Sequence, residues 1–123
     1  MRHFLVIILF TGILISCSPV EYKRADLSTY AGLHGYLDKE ISPGVHIIEV
    51  TQRGGYQFIN DYDGTISVLN SHWKQRAGEL CPNGYIGKSS VIDAYQAKIE
   101  EFRCDLRFCQ RYPVISGEIK CQN

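Results

Sequence analysis

Hydrophobic positions crowd together first at residues 4–15, where only Thr11 and Gly12 interrupt them. From 18 to 30 no period is sustained, and that stretch reads as a tether. Residues 30–42 carry Gly32, Gly35 and a polar cluster, which predicts loop with a short turn. Pro43-Gly44 is a turn signal. The β-branched run at 45–51 predicts the first firm strand. Its apolar side chains do not alternate strictly, so both of its faces are expected to be covered. Gly54-Gly55 breaks the pattern, and residues 56–59 are expected to extend or rejoin the strand.

Ile66, Leu69, Trp73, Ala77 and Leu80 recur at spacings of three and four, predicting a helix over 61–81 with one apolar face. Asp63 or Thr65 can cap its start, and Pro82-Asn83-Gly84 stops it. Residues 85–109 are ambiguous. Ile92, Tyr95, Ile99, Phe102 and Leu106 fit a helical spacing, whereas 89–92 look extended. A long hairpin is the favoured reading, because short apolar runs are not resolved by period alone. Residues 112–121 predict a closing strand with Gly117 as a candidate bulge. The fold class is therefore α+β: a small antiparallel sheet packed on one main helix.

The chain has 123 residues, enough for one domain. Thirteen basic residues balance thirteen acidic ones, which excludes a general nucleic-acid binder. A basic start, a short apolar run and small residues at its end describe a secretory signal peptide rather than a membrane span, which needs about 20 residues. Leu14-Ile15-Ser16-Cys17 resembles the bacterial lipobox. That resemblance implies cleavage after Ser16 and lipidation of Cys17, leaving residues 1–16 as signal peptide, 17–30 as lipidated tether and 31–123 as one domain. Ser18, where inner-membrane retention would call for Asp, implies the periplasmic face of the outer membrane in the bacterial cell envelope.

Setting Cys17 aside leaves Cys81, Cys104, Cys109 and Cys121, an even set in an oxidising compartment. Three pairings exist. The favoured one joins Cys104 to Cys109 across a four-residue loop and Cys81 to Cys121 between the helix end and the last strand. A zinc site lacks its histidine partners and a redox site lacks Cys-x-x-Cys, so neither metal nor cofactor is expected.

Catalytic signatures are missing too. Asp61-Tyr62-Asp63-Gly64 resembles the middle of a calcium loop. However, Ile59 and Asn70 stand where its first and last ligands belong, so the segment reads as a turn and N-cap. Ser89, Ser90, His46 and His72 sit in no nucleophile motif, and His72 is expected at the surface. Glu100-Glu101 would face opposite ways on a strand. Arg103, Arg107 and Arg111, with Phe108 and Tyr112 beside them, could instead contact an envelope protein, an anionic glycan or a lipid head group.

The run from Gly44 to Tyr56, the helix end Arg76-Ala77-Gly78-Glu79-Leu80-Cys81 and the following Gly84-Tyr85 resemble small envelope lipoproteins. The cysteine order resembles the YecR-like lipoproteins. Gly78 and Gly54-Gly55 depart from the pattern, where Ala and Gly-Asn are usual. The resemblance spans about residues 33–121 and implies location and a compact α+β fold, with no catalytic residues to carry over. The expected function is a non-catalytic lipoprotein, membrane-bound through Cys17 and meeting an envelope protein or cell-wall partner. The alternatives are an accessory subunit of a secretion or motility assembly and a periplasmic enzyme without a local motif.

Overall fold

A computed structural model of the chain describes residues 20–28, 33–54 and 56–123. The signal-peptide and Cys17 assignments lie outside them. The β-branched run forms β2 (Val45–Gln52), the strand predicted. It pairs antiparallel with β1 (His34–Ser42) on one side and with β5 (Val114–Cys121) on the other. Two short strands, β3 (Tyr85–Gly87) and β4 (Ser90–Ile92), also pair antiparallel with β5. The five-stranded sheet thus runs β1-β2-β5-β3, with β4 beside β3 on β5. The expected α+β class is the one observed.

Both faces of this sheet are covered, which explains why β2 does not alternate. Ile48 and Val50 of β2, with Ile115 and Ile119 of β5, pack under α2 (Tyr62–Leu80) against Leu69, Trp73 and Ala77. Ile47, Leu37 and Val114 point to the other face, where Ala94, Ala97, Ile99, Phe102 and Cys109 of the segment 93–113 cover them. The Trp73 indole N–H donates to the Ile48 carbonyl at 3.0 Å, so its one polar atom is satisfied inside the core. β5 keeps unbroken register against β2, so Gly117 is not a bulge there. Pairing instead lapses between β3 and β4, opposite Gly117. A methyl group on Gly117 would meet the Lys88 carbonyl oxygen at 2.3 Å and Trp73 Cζ2 at 2.7 Å. Only glycine leaves room for that approach.

Several expectations need correction. The predicted loop at 30–42 is largely strand: β1 has few apolar residues because, outside Gly35 and Leu37, it is half-buried or exposed at the sheet edge. Residues 56–59 do not extend β2; they form a short helix, α1 (Tyr56–Asn60), too brief to show a period, with Phe58 buried. The cap of α2 is Asp61 rather than Asp63 or Thr65, its carboxylate accepting from the Gly64 N–H at 3.1 Å. Residues 85–109 are neither a long hairpin nor a helix. After β3 and β4 the chain makes 3₁₀ turns at Ala94–Gln96, Glu100–Phe102 and Arg107–Arg111. Side chains three apart align in a 3₁₀ turn, so this segment imitates α-helical spacing.

The predicted tether is partly seated. Arg24 forms a parallel bridge with Tyr36 of β1, Ala25 N–H donates to Tyr36 O, and Tyr36 N–H donates to Lys23 O, both at 3.0 Å. Residues 20–28 therefore form a strap over the edge strand.

Candidate functional site

Segment 93–113 makes the loop that carries the predicted contact residues, and a buried carboxylate fixes its path. Glu49 projects from the middle of β2 with no solvent exposure. Its Oε1 accepts from the Ile99 N–H at 2.7 Å. Its Oε2 accepts from the Lys98 N–H at 3.0 Å and from the Ser116 hydroxyl at 2.7 Å. A buried carboxylate is tolerated where such donors replace water. Arg53 adds a hydrogen bond to the Phe102 carbonyl, and Lys39 pairs with Glu101 at 3.3 Å. The Glu101 carboxyl is held below its ordinary range first by its own backbone N–H, which outweighs the opposing effect of burial, and then by Lys39.

The loop then returns to the end of the sheet where β5 begins. Cys104 is disulfide-bonded to Cys109, and Cys81 to Cys121, the pairing favoured from sequence. Cys104 N–H donates to Ala94 O at 3.2 Å, and the Gln110 amide donates to Cys104 O at 2.6 Å. The staple thus projects from a braced base. Leu106 is 59% exposed and Phe108 56% exposed, while Arg107 and Arg111 are also exposed. The other predicted contact residues are committed inward in part. Arg103 Nε donates to the Ala97 carbonyl at 3.0 Å, and the Tyr112 ring lies 5.3 Å from that of Phe58. In the sequence Leu106 stands out only as one of several apolar residues that fit a helical spacing, and nothing there marks it as exposed.

A second polar cluster locks the strap to α2. The Tyr22 ring stacks on Tyr36 at 5.1 Å and meets His72 edge-on at 5.4 Å, and its hydroxyl donates to Glu79. Arg76 lies over the Tyr36 ring at 4.7 Å, bonds Asp38 at 2.8 Å and reaches Glu79 at 3.5 Å. Burial opposes the Arg76 charge, but the Asp38 hydrogen bond and charge outweigh it and raise its pKa. Burial, then the Glu79 hydrogen bond and charge, push the Tyr22 phenol well up. His72 is half-buried rather than a free surface residue, and burial followed by the nearby His34 lowers its pKa.

An open cleft of about 310 Å³ runs between α2 and β4, lined in part by Asp63, Ser67, Asn70, Ser89 and Ser90. The Ser89 hydroxyl is hydrogen-bonded to Asn70, and no histidine lines the cleft. Among the described residues no group of three His, Cys, Asp or Glu is placed to hold a metal ion. No described helix is long and apolar enough to cross a membrane. No protein-family model, curated protein or solved structure matches the chain.

Proposed function

We propose that this chain is a non-catalytic envelope lipoprotein: a disulfide-stapled module held at a membrane by acylated Cys17 and acting through contacts of its outer surface. The observation that carries the reading is the pairing of the cysteines. All four cysteines of the folded region are consumed as Cys81–Cys121 and Cys104–Cys109. That leaves Cys17 as the odd thiol, at the end of the apolar run and beside the small residues of the lipobox-like sequence. Disulfides of this kind suit an oxidising compartment. The exposed Leu106–Phe108 loop supports a binding role better than the serine-lined cleft supports chemistry, because Ser89 meets an amide rather than a base.

The test is metabolic labelling of the full chain, expressed in a bacterial host, with an alkyne-bearing fatty acid. The wild type is expected to incorporate label and to give an acylated N-terminal peptide beginning at Cys17. Cys17→Ser is expected to incorporate none. Label in that variant, or an unmodified Cys17 in the wild type, would overturn the reading.

A further inference from the structure

We infer that the end of the domain bearing Leu106, Arg107, Phe108 and Arg111 is a membrane-contact face that lies on an anionic phospholipid surface. The inference rests on the lipid anchor proposed at Cys17 and adds how the anchored domain is oriented.

The strap supplies the geometry. Its bridge to β1 is parallel, so the chain preceding Arg24 leads back toward the His34 end of that strand. Val20, at the start of the described strap, packs on the core beneath α2. Cys17 lies three residues before Val20, and three residues of chain reach at most about 11 Å. A strap pinned by Tyr22 and by two backbone hydrogen bonds leaves little slack between lipid and domain. The bilayer surface must therefore lie close to the His34 end of the sheet.

That end is level with the start of β5, because His34 pairs with Gln52 and the adjacent Thr51 pairs with Val114. The Cys104–Cys109 loop is attached there through Tyr112 and Pro113. It is joined to α1 and α2 by one aromatic ring: Phe58 lies 5.3 Å from both Tyr112 and Tyr62. Large exposed side chains stand on both sides of that ring, Ile59 at 65% and Tyr62 at 46% in the helices and Leu106 and Phe108 in the loop. Exposed apolar side chains gathered at one end of a domain mark a contact surface.

The charges select a lipid surface. Between positions 103 and 112 stand three arginines and one acid, Asp105. Arginine beside phenylalanine and leucine fits the boundary between anionic head groups and acyl chains. The 3₁₀ turn at Arg107–Arg111 and its disulfide fix the backbone that presents these side chains, which lowers the ordering cost of contact. Asp61 and Asp63 flank Tyr62 on the helix side and repel anionic lipid, so contact is strongest at the loop and fades toward α2.

The experiment places a benzophenone side chain at Phe108 of the full chain in a bacterial host, irradiates intact cells and reads adducts by mass. The same sample reports acylation at Cys17. A phospholipid adduct is expected, with its yield falling roughly tenfold when Arg107→Gln and Arg111→Gln are combined. A protein adduct, or none, from an acylated chain overturns the membrane-contact inference while leaving the anchor in place. An unacylated Cys17 overturns both.

Discussion

Glu49 and Ser116 face each other across β2 and β5, and the Ser116 hydroxyl donates to Glu49 Oε2 at 2.7 Å. The same carboxylate holds the Lys98 and Ile99 backbone N–H groups, so one side chain joins the sheet to the loop that bears the predicted contact residues. Replacing an oxygen by an amide nitrogen in Glu49→Gln turns one acceptor into a donor facing donors. Buried donors left unpaired cost about 1–3 kcal/mol each. Urea unfolding should show Glu49→Gln destabilised by about 2–4 kcal/mol and Ser116→Ala by about 1 kcal/mol. A Glu49→Gln midpoint equal to wild type would show that the carboxylate does not fix the loop.

The two disulfides should contribute unequally. Cys81–Cys121 spans 40 residues of sequence and Cys104–Cys109 only five. Chain-entropy reasoning assigns about 4 kcal/mol to the long closure and about 2 kcal/mol to the short one. Paired alanine variants compared by denaturant unfolding should reproduce that order. The short staple should matter more for the Leu106–Phe108 loop itself, whose amide exchange should rise in Cys104→Ala/Cys109→Ala while the sheet stays protected. Equal losses of stability would contradict the closure argument.

Much of the frame was legible because it follows from local pattern. The run at 45–51 had to be a strand covered on both faces, and the stripe through Leu69, Trp73 and Ala77 had to be a helix facing a core. Glu49 was hidden because an acid within a strand reads as solvent-facing. A signal was present: with Ile48 and Val50 on one covered face, residue 49 had to enter the other. The turns across 94–111 were illegible because 3₁₀ and α spacings overlap. The strap was illegible because β1 takes it up by backbone bonds and a ring stack that no spacing encodes.

His72 should make stability fall on mild acidification. Burial and His34 hold its folded-state pKa below the ordinary 6.5. The unfolded chain therefore binds the proton more readily, and protonation favours unfolding. The stabilisation from neutral His72 is complete above pH 6.5 and is lost as pH falls through the folded-state value. Unfolding free energy measured from pH 7.5 to pH 5 should decline, and His72→Gln should flatten that decline. An unchanged slope in the variant would assign the acid sensitivity to other groups.

Tyr22 should govern whether the strap stays on β1. Its ring stacks on Tyr36 and its hydroxyl binds Glu79, while the Ala25 and Tyr36 N–H groups form the two bonds that its docking protects. An aromatic pair of this kind contributes about 0.5–1.5 kcal/mol beyond its buried area. Tyr22→Ala should therefore speed amide exchange at Ala25 and Tyr36 by roughly two- to tenfold, since local opening sets that rate. Tyr22→Phe keeps the stack and loses only the hydroxyl, so its effect should be smaller. Exchange in β2 and β5 should not change in either variant, because the strap lies outside the strands that bury the core. A general rise across the sheet would mean that residues 20–28 belong to the folding unit itself, and their seating on β1 would then be a consequence of global stability rather than of one latch.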